Sequence, residues 1–114
     1  IAFQTKDLIS AMELDTNKKF SALAVDGGAC ANNFLMQFQA DILGSSIQRA
    51  AVIESTALGV AYLAGLQVGV WTFTELKNKK INSQVFKPSM DDEKRERLYK
   101  GWLKAVSRTM NWKE

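Results

Sequence analysis

Two adjacent glycines stand out in "LAVDGGACANNFLMQFQADILG", the stretch from Leu23 to Gly44. Asp26, Gly27 and Gly28 follow a short apolar run typical of a buried strand, and a segment with helical apolar spacing comes next. Glycines at such a turn lack the Cβ that would keep a ligand away, and the first N–H groups of the following helix are unpaired donors. These donors carry partial positive charge, so the arrangement suits a phosphate or a ribose.

The residues alone leave two interpretations of this turn open. In open α/β sheets, ligands bind beyond the carboxyl ends of the strands, which is where Gly27 and Gly28 are predicted to lie. A Gly-Gly turn is also a simple way to reverse the chain without any ligand. Asn32 and Asn33 favour binding because a carboxamide can read an adenine edge or a ribose hydroxyl, but either side chain can equally cap the helix start.

Other polar residues near the turn have simple structural interpretations. Asp26 precedes the glycines, so we expect it to form turn hydrogen bonds rather than act as a general base. Cys30 lies in a first helical turn, where a thiol pKa can fall, but no base or metal partner is evident and we expect it to pack. Glu54 precedes a helix start and is expected to stabilise it locally.

Composition excludes several classes of function. The 114 residues are 46% hydrophobic and 24% charged, which fits one soluble globular domain. With one cysteine and no histidine, neither an internal disulfide, a zinc site nor an imidazole base can be assembled, and a reducing cytoplasm is favoured. The 15 basic and 12 acidic residues are interspersed, so no nucleic-acid groove is predicted. Glycines interrupt the apolar region 57–71, so no membrane span is predicted.

Apolar spacing predicts an α/β fold with a strand-helix-strand-helix core and a long C-terminal helix. The predicted elements are a helix at 2–14, a strand at 20–25, a helix from residue 31 to Gly44, a strand at 46–49, a helix at 57–68 capped by Ser55 or Thr56, and a helix from 91–93 onward.

Each predicted helix has an expected buried face. We expect apolar contacts from Ile1, Leu8, Ile9 and Met12 in the first helix, from Ala31, Leu35, Phe38 and Ile42 in the second, and from Leu98, Trp102, Ala105 and Val106 in the last. Small residues of the third helix would allow close packing: Ala57, Ala61, Ala64 and Gly65. Trp71 and Phe73 are expected to be core or interface anchors.

The segments "VDGGACANNFLMQFQADILG" and "ESTALGVAYLAGLQVGVW" closely resemble the C-terminal region of glycerol kinases, within the FGGY family of carbohydrate kinases. The resemblance extends from "FQTKDLISAM" to "GWLKAVSRTMNW", and "NFLMQFQ" separates the chain from sugar kinases of the same family. Cys30 stands where valine is common in the family, and Ala50 follows Arg49 where proline is usual.

The resemblance implies an actin-like, ribonuclease H-like ATPase fold and ATP-dependent phosphorylation of glycerol to glycerol 3-phosphate with Mg²⁺. Residues 1–114 would form the C-terminal, nucleotide-side portion of an enzyme whose two domains close around a cleft. The residues implied to hold the nucleotide are Gly27, Gly28 and Asn32. The Gly28 amide would lie near the α-phosphate or ribose, and Asn32 would hold the adenosine portion.

The resemblance also places the catalytic aspartate, the glycerol-binding residues and the magnesium ligands upstream of Ile1. We therefore expect a piece of a longer chain, without catalytic or metal-binding residues of its own and inactive alone. Exposed strand edges predict self-association of the piece, and a homo-oligomer is expected for the enzyme. Two alternatives are a portion of a related FGGY sugar kinase and a fragment that acts only in subunit association.

Overall fold

The computed structural model of the chain describes residues 1–52, 54–78 and 83–110. In chain order its elements are α1 (Ala2–Thr16), β1 (Ala22–Val25), a short 3-10 helix (Gly28–Ala31), α2 (Asn33–Leu43), β2 (Ser46–Ala50), α3 (Ser55–Gln67), α4 (Phe73–Asn78), β3 (Ser83–Phe86) and α5 (Asp92–Ser107). The predicted α/β class, the strand-helix-strand-helix order and the long C-terminal helix are all present.

The three strands form one sheet in the order β1-β2-β3. β1 and β2 are parallel, with Leu23 opposite Ile47, and β3 is antiparallel to β2, with Phe86 opposite Ile47. The carboxyl ends of β1 and β2 therefore lie at the same edge of the sheet, together with the amino end of β3. This edge, which we call the carboxyl edge, brings the glycine turn close to the ends of two other strands.

α2 packs on the sheet through the hydrophobic core. The core consists of Cys30, Met36, Ala40, Ile47 and Phe86, flanked by Leu23, Val25, Leu35 and Leu43. Full burial of a side chain such as Ile47 or Met36 contributes about 1.5–3 kcal/mol, so these contacts hold α2 firmly against β2. The start of α2 is consequently fixed relative to the carboxyl edge.

The C-terminal end of α2 lies where the sequence predicts it, whereas its N-terminal end does not. Gly44 ends the helix with φ 69° and ψ 21°, and its N–H donates to the Ala40 carbonyl at 2.9 Å, which confirms the predicted left-handed stop. The helix begins at Asn33 rather than at residue 31, because the chain first tightens into the 3-10 helix. Ala31 is exposed and is not part of the buried face, whereas Ile42 is fully buried.

α5 packs against α1 through aromatic residues and one carboxylate. The Trp102 ring stacks on Phe3 with centroids 5.7 Å apart, and its Nε1–H donates to Asp7 Oδ2 at 2.7 Å. The Tyr99 hydroxyl donates to the other oxygen of Asp7 at 2.6 Å. This bond raises the pKa of Tyr99 to about 12, with burial as a further cause. The expected face of α5 is confirmed at Trp102 but wrong at Ala105, which is exposed.

A second joint connects α2 to the start of α5. The buried carboxylate of Asp41 accepts the N–H groups of Ser89 at 2.6 Å and Met90 at 3.1 Å. Burial acts to raise the pKa of Asp41, but these donors outweigh it and the pKa lies below its ordinary value. Arg95 donates through Nε to the Asp41 carbonyl at 2.6 Å, and Asp91 caps α5 by accepting from the Lys94 N–H at 2.8 Å.

The expected buried face of α1 is wrong at Ile1, Leu8 and Met12, and only Ile9 of the predicted set is half-buried. Leu8 is 61% and Met12 41% exposed, whereas Ala2 is buried and Phe3 makes the main contacts. Phe3 packs edge-on against Phe38 and flat against Trp102, two arrangements that aromatic rings favour.

The expected close packing of α3 is confirmed only at Gly65. Gly65 is buried against Trp71, whose Cε2 would lie 2.4 Å from an added Cβ, so only glycine fits there. The other small residues, Ala57, Ala61 and Ala64, are exposed. Trp71 donates through Nε1 to the Tyr62 carbonyl at 2.9 Å and is half-buried, as expected of an anchor. None of the described helices is long and apolar enough to cross a membrane.

Besides the 3-10 helix, two described elements have no counterpart in the sequence predictions. β3 was not predicted, and neither was α4, which begins after Thr72. Phe73, the first residue of α4, is 73% exposed and is not a core anchor of the described chain. Several boundaries also shift: α1 continues to Thr16, β1 begins only at Ala22, and α3 begins two residues before the predicted start.

Candidate functional site

The two glycines after β1 meet different requirements. Gly27 has φ 86° and ψ 166°, a conformation that side-chain-bearing residues rarely adopt, so the turn itself requires glycine there. Gly28 has no left-handed backbone, and a Cβ added to it would meet no atom of the described residues within 4 Å. The space beside Gly28 is therefore open, and the fold alone does not explain a glycine at this position.

The turn exposes backbone donors at the carboxyl edge. The Cys30 N–H donates to the Gly27 carbonyl at 3.0 Å and closes the 3-10 turn. Among the described residues, no acceptor is found for the N–H groups of Gly28 and Ala29, and both residues are exposed. Two neighbouring N–H groups at the start of a helical turn are suited to hold an anion or a hydroxyl oxygen.

Asn32 has the capping role that was one of its two interpretations. Its Oδ1 accepts the Leu35 N–H at 3.1 Å, so it is the N-cap of α2. Its NH₂ group has no partner within the described parts of the chain. The oxygen is thus engaged, and Asn32 can offer a ligand donors rather than the donor and acceptor pair expected from the sequence.

Asp26 connects the turn to α3. Its carboxylate accepts from the Ser55 hydroxyl, and its carbonyl accepts from the Cys30 thiol at 2.8 Å. The expected turn role of the Asp26 side chain is wrong, because within the described chain its carboxylate bonds to α3 and only its main-chain carbonyl accepts a bond from the turn. The prediction that Ser55 or Thr56 caps α3 is wrong, because the Ser55 hydroxyl donates to a carboxylate instead and the N-cap, Glu54, makes no side-chain capping bond.

Cys30 is a packing residue. It is only 5% exposed, and burial raises the pKa of its thiol, with the nearby charge of Asp26 acting in the same direction. The thiol therefore stays protonated at neutral pH and acts as a hydrogen-bond donor. This agrees with the packing role expected from the sequence rather than with a reactive thiolate.

Arg49 is the residue of this edge that sequence reasoning missed. Its Nη1 donates to the Cys30 carbonyl at 2.7 Å and to Asn33 Oδ1 at 2.8 Å, and its Nη2 donates to Gln84 Oε1. Its guanidinium also lies 5.3 Å from the Phe86 ring centroid. The available signal was its position at the end of a strand beside the glycine turn, where a long cationic side chain can reach the turn's carbonyls.

Comparison with known proteins assigns the chain to a family. Residues 1–68 match the C-terminal domain of the FGGY family of carbohydrate kinases. The chain belongs to the FGGY family. A glycerol kinase from Caldanaerobacter subterraneus subsp. tengcongensis is 59% identical over 100% of the chain, which spans 23% of that relative. A glycerol kinase from Fusobacterium nucleatum subsp. nucleatum is 57% identical, again over 100% of the chain and 23% of the relative.

Solved structures of FGGY kinases share the fold. The Plasmodium falciparum glycerol kinase with ADP matches with a TM-score of 0.75 and 35% identity over 96% of this chain and 22% of its own. The xylulose kinase of Lactobacillus acidophilus, at 23% identity and a TM-score of 0.65 over 97% of this chain and 22% of its own, shows the same fold. The FGGY chain thus has part of the actin-like ATPase fold expected from the sequence, and it spans less than a quarter of these relatives.

Proposed function

We propose that the chain is the C-terminal, nucleotide-side portion of a glycerol kinase, an enzyme that transfers the γ-phosphoryl group of ATP to glycerol. The glycerol kinases that match the whole chain at 57–59% identity support the substrate, and the ADP in the Plasmodium falciparum structure supports the nucleotide. The single observation that carries the site is the open turn after β1, where the N–H groups of Gly28 and Ala29 lack acceptors among the described residues.

Each residue of this turn has a distinct proposed role. Gly27 gives the turn its shape through its left-handed backbone. Gly28 leaves space for the nucleotide, and its N–H and that of Ala29 donate to a phosphate or ribose oxygen. The NH₂ group of Asn32 donates to the adenosine portion while its oxygen continues to cap α2.

The described residues do not fit a magnesium site. They contain no group of three or more histidine, cysteine, aspartate or glutamate side chains that could hold a metal ion. We place the Mg²⁺ ligands, the catalytic aspartate and the glycerol pocket in the rest of the enzyme. Phosphoryl transfer depends on positioning and on charge stabilisation from both sides of the cleft, so the 114-residue chain alone is expected to be inactive.

Two further properties belong to the proposal. A cytoplasmic location is supported by Cys30, a buried free thiol, because reduced cysteines are typical of that compartment. A homo-oligomeric state of the full-length enzyme is the second property. Sedimentation of the full-length enzyme tests the second property, and a monomer would contradict it.

The function is tested by an activity assay on the full-length protein with ATP and a panel of polyols and sugars. We expect kcat/KM to be highest for glycerol, with glycerol 3-phosphate as product. A higher kcat/KM for a sugar such as xylulose would instead identify a related FGGY sugar kinase. Product formation by the 114-residue chain alone would contradict the assignment of the catalytic groups to the rest of the enzyme.

A further inference from the structure

Arg49 hydrogen-bonds to three different elements at the carboxyl edge, and one of them is the 3-10 helix of the glycine turn. Its Nη1 reaches the carbonyl of Cys30, within the 3-10 helix, at 2.7 Å and the side chain of Asn33, the first residue of α2, at 2.8 Å. Its Nη2 donates to Gln84 of β3. The guanidinium therefore joins the turn, the start of α2 and the third strand at the carboxyl edge.

The chemistry of these contacts requires arginine. A guanidinium presents several N–H donors in a fixed plane, so one group can satisfy acceptors on separate elements at once. A lysine ammonium is a compact point charge on a flexible stem and does not reproduce this fork. The Phe86 ring, 5.3 Å from the guanidinium, adds a favourable cation–π contact that holds the group in place.

The residues that Arg49 contacts at the turn are neighbours of the proposed nucleotide donors along the chain. Cys30 and Asn33 lie on either side of Asn32, and Cys30 directly follows Ala29. The Cys30 carbonyl belongs to the peptide group that links Cys30 to Ala31, so holding it anchors the C-terminal end of the 3-10 helix whose first two amides are those of Gly28 and Ala29. Fixing Asn33 fixes the N-terminal turn of α2, on which the Asn32 carboxamide is held.

We propose that Arg49 is a positioning residue for the nucleotide turn, acting through the Cys30 carbonyl and the Asn33 side chain rather than by touching glycerol. This inference rests on the proposed function, because it assumes that the turn binds the nucleotide. Binding groups held in their productive geometry before the ligand arrives avoid the ordering cost on binding. Loosening the turn should consequently weaken nucleotide binding more than it affects the glycerol step.

The test uses Arg49→Lys in the full-length enzyme. We expect KM for ATP and Kd for ADP to rise about tenfold, which corresponds to about 1.4 kcal/mol of ordering cost that is then met on binding, while KM for glycerol stays within about twofold. If Arg49→Lys does not fold, Gln84→Ala is the second variant. It removes the β3 acceptor and leaves the other two, so a smaller rise in Kd for ADP is expected.

The chain offers a matched control in Arg95→Lys. Arg95 also joins three acceptors, at the Asp41 carbonyl, Asp92 Oδ1 and the Met90 carbonyl, but it lies at the α2–α5 joint away from the turn. We expect this control to lower Tm as Arg49→Lys does and to leave Kd for ADP unchanged. An equal loss of ADP affinity in both variants would mean that general destabilisation is the cause, which overturns the inference.

Failure of the inference and failure of the proposed function give different patterns. If Gly28→Val weakens ADP binding but folded Arg49→Lys and Gln84→Ala do not, the turn binds the nucleotide without help from Arg49, and the inference is wrong. If Gly28→Val and Asn32→Ala both retain full ADP affinity, the turn is not the nucleotide site, and the inference fails with the proposed function.

Discussion

Substitution of Gly28 separates a ligand-binding turn from a simple chain reversal. A Cβ at Gly28 would meet none of the residues that the structure describes within 4 Å, and the Gly28 backbone is not left-handed, so Gly28→Ala should not strain the folded chain. Replacing glycine at a compatible site stabilises a protein by about 0.4–1 kcal/mol through the unfolded state. We therefore expect an unchanged or raised Tm for Gly28→Ala.

Substitution of the neighbouring Gly27 should have the opposite effect on Tm. Gly27 has φ 86° and ψ 166°, an extended positive-φ region that is essentially confined to glycine, so Gly27→Ala should cost about 1–3 kcal/mol. Its Tm should fall. Gly101→Ala, at an exposed helical position of α5 with free space around the added Cβ, serves as a control that is remote from the turn.

Nucleotide binding is the decisive measurement for Gly28. In Gly28→Val a branched side chain occupies the space that the nucleotide is proposed to use, so ATP and ADP affinity should fall at least about tenfold, or about 1.4 kcal/mol. Calorimetric titration of ADP into the full-length variants, together with their thermal unfolding, measures both effects. Unchanged ADP affinity in folded Gly28→Val would refute the reasoning and leave glycine there without a ligand role.

Four further expectations follow from other contacts. Asn32→Ser keeps a capping oxygen but removes the NH₂ donors, so ADP binding should weaken by about 0.5–1.5 kcal/mol in calorimetry with little change in Tm; an unchanged Kd would contradict the donor role. The Asp7 bond raises the folded pKa of Tyr99 from 10.0 to about 12. Tyr99→Phe should therefore lower the free energy of unfolding by its full amount below pH 10.0, and this difference should disappear as pH rises through about 12. A difference that stays constant across this window in urea unfolding would argue against the Asp7 bond. The pKa of Asp41 is lowered, so its contribution to the free energy of unfolding should be present above pH 3.8 and be lost as pH falls through the folded pKa. Asp41→Asn should cost about 1–3 kcal/mol of stability at neutral pH. Equal acid unfolding of the variant and the unmodified protein would contradict this. The isolated chain should self-associate, since Val60, Leu63 and Phe73 are exposed, and a strictly monomeric sedimentation profile at high concentration would count against that.

Features set by a few neighbouring residues could be predicted from the sequence. The left-handed stop at Gly44, the acidic start of α5 at Asp91 and the glycine turn after β1 each depend on local backbone chemistry. α4 has a local signal as well: Thr72 and Glu75 exchange hydrogen bonds in a capping box, and "TFTE" carries this pattern. Because α4 is so short, it shows no apolar periodicity, and its capping box was therefore not recognised in the sequence.

Features that depend on distant contacts were not predictable in the same way. β3 is a short strand defined by its pairing with β2, and the role of Arg49 depends on Gln84, 35 residues away. The buried face of α1 depends on the contact of Phe3 with Trp102 of α5. The apolar spacing within residues 2–14 carries no information about this distant partner. The glycine turn could be located from the sequence, but the contacts of Arg49 with this turn could be identified only from the three-dimensional structure.

The central claim is that the turn from Gly27 to Asn32 binds the nucleotide, and a crystal structure of the full-length protein with ADP tests it most directly. We predict a phosphate or ribose oxygen at about 3 Å from the N–H nitrogen of Gly28 or Ala29, and the Asn32 amide nitrogen against the adenosine portion. ADP bound elsewhere, with these donors facing only solvent, would contradict the claim.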